Sequence, residues 1–227
     1  MIKQPIILNK NRHRLYREHK YIFHVFTELL RFASTLDLSN KSSQLKLKSE
    51  IINLELLLHA HAEYEESRIH KILKNKNSSL VGEAEVQHQE QKQFFVTLNE
   101  KINLIESVNN EEIHLLSYEI YLDLRNFFGE NLRHFAYEEQ VIMPELQRLC
   151  SDDEIREVDN ISYRQMLPEQ MVDMMKVLFP HMNFEDRFTF LNDIKECEPG
   201  KFRLAWDEIS SSIEGTERDN LIRALNI

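Results

Sequence analysis

A histidine followed four residues later by a glutamate occurs twice in leucine-rich, helix-favouring sequence. One pair is His61 and Glu65 in LLLHAHAEYEE, the other His134 and Glu138 in LRHFAYEEQVIMPEL. Four residues is one turn of α-helix, so each pair leaves its helix from one face, about 6 Å apart along the axis. Two such helices facing each other bring two imidazoles and two carboxylates into one space. Carboxylates in an apolar interior are tolerable only where a cation offsets them. The pattern therefore calls for opposed helices with a polar island in their core, the way a four-helix bundle builds a metal centre.

The rest of the composition agrees with helices. Among 227 residues there are four glycines and five prolines, so helix-breaking residues are nearly absent, and an all-α fold is expected. Thirty-eight acidic against 28 basic residues give a formal charge of −10, which argues against a nucleic-acid-binding surface. The two cysteines, Cys150 and Cys197, form no motif, and free thiols in a reducing, cytoplasmic setting are expected. The opening MIKQPIILNKNRHR lacks the apolar run of a signal peptide, and no run of about 18 apolar residues follows, so no membrane association is expected.

Along the chain, HRLYREHKYIFHVFTELLRFAS reads as a first helix, with Leu15, Ile22, Phe23, Phe26 and Leu30 recurring every three to four residues. A second runs from about Gln44 or Leu45 to Leu73, and a third from about Glu83 to Ser107. The fourth runs from about Glu111, behind the Asn109–Asn110 start signal, to Leu149. Gly129 and Pro144 within it are positions for a kink or a division. Ser151 with Glu154 is a capping-box pattern opening further helical segments at 153–178, 183–196, 201–213 and 216–225. Residues 1–150 hold the material for a four-helix bundle. Residues 151–227 form a C-terminal helical extension, expected to pack on the bundle or at a subunit interface.

Helical phase selects among the candidate ligands. The stripe Leu54, Leu58, His61, Glu65, Ile69, Ile72 is apolar on both sides of its polar pair, as for ligands facing a core. The competing pair His59 and Glu63 lies on the stripe Ile52, Leu56, His59, Glu63, Ser67, His70, which turns polar. His134 and Glu138 fall between Phe127 and Val141 or Ile142, whereas Glu139 points about 100° away. His19 shares a stripe with Tyr16, Ile22, Phe23 and Phe26, and His24 falls at the boundary. His88 lies with Ala84, Phe95 and the stem of Gln91 or Lys92. His181 and Glu185 repeat the spacing behind Pro180, but with no partner helix they read as a helix start. Nitrogen and carboxylate oxygen without organised cysteines suit iron, manganese or zinc. Glutamates from two helices can bridge two metals, and six groups exceed what one closed zinc site needs.

Around YREHK, HAEYEESRIHKIL and HFAYEEQVIMPEL the sequence resembles the hemerythrin-like, HHE cation-binding family over about residues 10–150. The resemblance implies an up-and-down four-helix bundle with additional C-terminal helices and a non-haem di-iron centre, two irons per chain. The implied ligands are His19, His61, Glu65, His88, His134 and Glu138, with Glu65 and Glu138 as bridges. Oxygen-carrying hemerythrins place two histidines one turn apart on the third helix. Here Ala84 and Lys92 occupy the positions one turn from His88, and the fourth helix offers a glutamate four residues on in place of an aspartate five on. Those departures look more like the bacterial di-iron proteins of oxidative and nitrosative stress and iron–sulfur repair. With no cysteine-bearing domain ahead of the bundle, the expectation is handling of O2, NO or peroxide, sensing, or iron storage. The alternative expectation is a sensor or interaction module whose C-terminal helices carry the response, as a homo-oligomer or with a partner. The run QMVDMMKVLFPHMNFEDRFTFL is the candidate partner surface, with ordinary core packing the favoured reading.

Overall fold

Local signals along the chain set where each helix begins. The computed structural model describes Leu8, Asn9 and residues 11–227. Helix α1 spans His19–Ala33 and so starts six residues later than the periodicity suggests. Tyr16 sits at φ 69°, a left-handed conformation that a helix cannot continue through, so residues 13–18 are not helical. Helix α2, Lys41–Tyr64, starts earlier than expected. The Asn40 side chain caps it by accepting from the Ser42 N–H, which recruits two serines that read as loop. Helix α4 covers Val81–Leu104, after a short α3 at Lys71–Asn75. Helix α5, Asn110–Tyr137, opens on a capping box between Asn109 and Glu112, as its sequence signals. It runs unbroken through Gly129.

The helix carrying each His–Glu pair is not α throughout. Glu65–His70 is a π-helical turn between α2 and α3, and Glu138–Ile142 is another between α5 and α6 (Met143–Leu149). Each π turn begins at the glutamate of the pair. In the second, Pro144 follows within two residues. Having no N–H, it leaves the α ladder short of a donor there, and the Met143 N–H reaches back five residues to the Glu138 carbonyl.

Two compact units emerge: Ile22–Leu149 belongs to one, and Asn9–Tyr21 with Cys150–Ile227 to the other. In the first, the cross-helix contacts run antiparallel. From α2 and the π turn after it to α4 and the turn that follows it, Lys48 meets Glu106, Glu55 meets Asn99 and Glu66 meets His88. Between α4 and α5, Lys101 meets Asp123, Gln91 meets Asn131 and His88 meets His134. Residue numbers fall along one helix as they rise along its neighbour, the up-and-down order that short connections impose. Ile22, Phe26, Leu47, Ile51, Leu54, Leu98, Ile120 and Phe127 fill the core, and the Phe94 and Phe127 rings stack 3.8 Å apart. Phe23, expected inside, is 47% exposed, because α1 presents Leu29 and Ala33 rather than Phe23 and Leu30 along the buried face through Ile22 and Phe26.

The second unit holds α7 (Asp152–Gln165), α8 (Pro168–Leu178), α9 (Phe184–Cys197), α10 (Pro199–Ile209) and α11 (Gly215–Leu225). The expected single segment 153–178 is two helices. Met166 and Leu167 are extended, the conformation that Pro168 favours in the residue before it, and Pro168 starts the next helix. The Met-rich run is core: Met171, Val172, Met175, Phe179, Met182, Phe190 and Leu191 are all buried.

Asn9–Tyr21 is tied to α7 and α9 by ions. Arg12 bonds the Cys150 carbonyl at 2.7 Å and Asp152 at 3.0 Å, and Arg17 reaches Asp193 at 3.3 Å and Asp159 at 3.5 Å. Beside them, burial and the neighbouring Arg17 hold the His13 pKa down at about 3. Burial, against the pull of Arg17, lifts the Asp193 carboxyl to about 6. The two act oppositely on stability. A histidine with a depressed native pKa takes up its proton mainly on unfolding, so its contribution is lost as pH falls from about 6.5 towards 3. A carboxyl with a raised pKa contributes most in acid, and that is lost as pH rises from about 4 to 6. His13→Gln should therefore shrink the drop in melting temperature between pH 7 and pH 4 by several degrees, equivalent to at most about 3 kcal/mol. An unchanged or larger drop would show that His13 is not the acid-sensitive group.

Candidate metal centre

Burial separates the candidate pairs. His61 and Glu65 are 8% and 0% exposed and His134 and Glu138 are 1% and 0%, whereas His59, Glu63 and Glu139 face solvent. His88 is buried on α4 between Ala84 and Gln91, and Lys92 is exposed. His19, at the first turn of α1, is buried and stacks on Tyr16 with centroids 4.9 Å apart. It belongs to the unit formed with the C-terminal helices. His24 is exposed.

Within the bundle the donor atoms converge. Glu65 places one oxygen 3.3 Å from His61 Nε2 and the other 3.2 Å from His88 Nε2. Glu138 Oε1 lies 3.1 Å from His134 Nε2 and 3.7 Å from His88 Nε2. The Nε2 atoms of His88 and His134 are 3.2 Å apart. One donor atom from each of Glu65, His88, His134 and Glu138 falls within 4.8 Å of all the others.

The far side of each ring explains why this set suits a metal ion. His88 Nδ1 donates to Glu66 Oε1 at 2.9 Å, and His134 Nδ1 donates to the Gln87 side-chain carbonyl at 2.8 Å. A ring protonated at Nδ1 carries a lone pair at Nε2, the arrangement that partners beyond a metal's own ligands usually enforce. Two imidazole lone pairs and two carboxylates then face one another in a dry core. Lone pairs so placed repel, and a cation between them reverses the sign of every contact. One turn from the rings, Gln91 donates to Asn131 at 2.9 Å and Asn131 donates to the Phe127 carbonyl, so the polar island closes before the aromatic core begins.

His70 escaped the sequence reading. An α-helical period groups it with exposed His59 and Glu63, yet its side chain is fully buried. The π turn carries about one extra residue, so positions five apart come onto one face and His70 rotates to the side of Glu65. Its ring lies parallel to that of His88, at 8°, with centroids 5.6 Å apart. Burial, then His88, lowers its pKa, while Glu138 and Glu85 act the other way, so the ring is held neutral. The same phase slip of one residue shows at Leu73, where burial after Ile69 resumes rather than at Ile72.

Two further groups fall outside this centre. His181 lies in a 3-10 turn and Glu185 in the first turn of α9, a helix start capped by Asn183. His13, Asp159 and Asp193 come together in the other unit, but Arg17 supplies the positive charge there.

An antiparallel four-helix bundle with buried His–Glu pairs on opposed helices defines a cation-binding helical protein. The family model for the hemerythrin HHE cation-binding domain matches residues 11–146, and the chain belongs to that family. No curated protein and no solved structure matches it. Among the described residues no helix is long and apolar enough to cross a membrane.

Proposed function

We propose that this chain is a non-haem di-iron protein that binds or reacts with a small ligand, O2, NO or peroxide. Its ligands would be His19, His61, Glu65, His88, His134 and Glu138, with Glu65 and Glu138 as the bridging carboxylates. The observation that carries the reading is the pair of wholly buried glutamates on opposed helices, each with imidazole Nε2 atoms turned towards its oxygens. One metal ion would not need two such carboxylates. Iron would supply the redox change and the coordination position for the ligand. The chain's own part is to exclude water, to hold His88 and His134 through Glu66 and Gln87, and to admit the ligand. A largely apolar groove between α2 and α4, lined by Leu56, Leu58, Ala62, Phe95 and Val96, reaches His88 and suits entry of a small molecule of low polarity.

A second reading, a metal-dependent sensor, draws on one observation. His19 is carried by Asn9–Tyr21, the segment anchored to the C-terminal helices through Arg12 and Arg17. The resemblance to stress-related bacterial proteins is compatible with either reading.

Anaerobic reconstitution with ferrous iron tests the proposal. Elemental analysis should approach two irons per chain, with optical and paramagnetic changes on exposure to O2, NO or peroxide. A reproducible value of one, or spectra indifferent to all three, would overturn it. His19→Ala should lower the iron content, and full loading of that variant would remove His19 from the ligand set.

A further inference from the structure

His70 has no part in the ligand set above, and its surroundings give it a different task. Its side chain is fully buried, and neither ring nitrogen has a hydrogen-bond partner among the described residues. Glu85 Oε1 stands 3.4 Å from Nδ1, outside hydrogen-bond geometry but on that side of the ring, and Glu85 is itself held by Lys74 at 2.5 Å. A carboxylate facing Nδ1 favours the tautomer protonated there, which leaves a lone pair on Nε2. The same polarity holds at His88, whose Nδ1 faces Glu66, and at His134, whose Nδ1 faces Gln87. Yet His70 is outside the group of donor atoms that converge within 4.8 Å, although its ring stacks on that of His88. It is one layer back from the ligands, with an acceptor nitrogen and nothing to accept from.

Leaving a buried imidazole nitrogen unbonded is a net cost to folding, and phenylalanine would fill the space without that cost. A π turn is also needed to bring the ring to this face, and such turns are frequent at functional sites. We infer that His70 Nε2 is the hydrogen-bond acceptor for an exogenous ligand at the metal centre, selecting ligands that carry an O–H group. That class contains hydrogen peroxide and water and excludes bare O2 and NO, which have no proton to donate. The inference rests on the di-iron reading and narrows it, because it makes peroxide the favoured substrate class.

His70→Phe and His70→Gln test this in the full chain. Both variants should retain the wild-type iron content and bind NO within twofold of the wild-type affinity. The rate of reaction with hydrogen peroxide should fall at least tenfold in the phenylalanine variant. The glutamine variant, whose side-chain oxygen can accept the same hydrogen, should recover part of it. In metal-free protein the phenylalanine variant should melt at or above the wild-type temperature, as expected where an unsatisfied polar atom is removed. Loss of iron in both variants would make His70 a ligand or a structural support and overturn the inference. Equal loss of peroxide and NO reactivity would overturn it as well. A wild-type chain that takes up no iron is a separate result, which sinks the di-iron reading and this one with it.

Discussion

Stripping metal from the loaded protein with a chelator is expected to lower its melting temperature by about 10 °C or more. The cause is preferential binding to the native state. A cation held by the folded chain alone adds about 4 kcal/mol when free metal stands at a thousand times its dissociation constant. For a chain of this size each kcal/mol is worth about 2–4 °C. The site makes the dependence stronger than for a metal on a surface. Glu65 and Glu138 are wholly buried, and the Nε2 atoms of His88 and His134 are 3.2 Å apart with their Nδ1 atoms already engaged. Without a cation these contacts set like partial charges against each other in a medium that screens them poorly. Differential scanning calorimetry of matched metal-free and reconstituted samples at one pH measures the shift. Superimposed transitions would mean that the cluster is a buried polar network and no metal site.

The helices and their inward faces were legible because they obey one period. Leu54, Leu58, His61 and Glu65 repeat at α-helical spacing, so the choice of His61 over His59 needed only the apolar residues on either side. The capping boxes at Asn109 and Ser151 were legible because short-range hydrogen bonding at a helix start leaves fixed residue types at fixed offsets. Three features were not. The π turns change the period itself at Glu65 and Glu138, so a constant 100° per residue assigns His70 to the wrong face. The polar partners Glu66 and Gln87 lie on helices other than those of the histidines they hold, a relation with no sequence offset. The start of α1 depends on a left-handed Tyr16, and a bulky residue gives no local sign of that conformation. The division of the chain also escaped the pattern. Asn9–Tyr21 joins the C-terminal helices through Arg12 and Arg17, and arginine with aspartate over 135 residues away looks on paper like any solvated charge.

These misses have a common physical origin. Periodicity reports what one helix does with its own apolar residues, and it is reliable wherever burial is the only demand. At the centre a second demand competes, that carboxylates and imidazoles meet from different helices at ligand distances. The backbone departs from α geometry at those two places, one turn beyond His61 and His134.

The second large effect is a reversal of sign at Glu65. In metal-free protein Glu65→Gln should raise stability by about 1–3 kcal/mol. The amide replaces a buried carboxylate, and its NH2 group can donate to the lone pair on His88 Nε2, which lies 3.2 Å from Glu65 Oε2. In the presence of iron the same variant should melt well below the wild type. A neutral amide is a poor ligand for a bridging position, and the stabilisation by bound metal is then lost. Glu138→Gln should behave alike, because Glu138 stands in the same relation to His134 at 3.1 Å. Glu63→Gln and Glu139→Gln, on exposed positions of the same helices, should change neither melt by more than about 0.5 kcal/mol. Thermal melts of the five proteins with and without ferrous iron, paired with iron content, decide the matter. A structural role for Glu65 predicts that Glu65→Gln destabilises both forms alike. A metal-bridging role predicts that it stabilises the empty protein and cripples the loaded one.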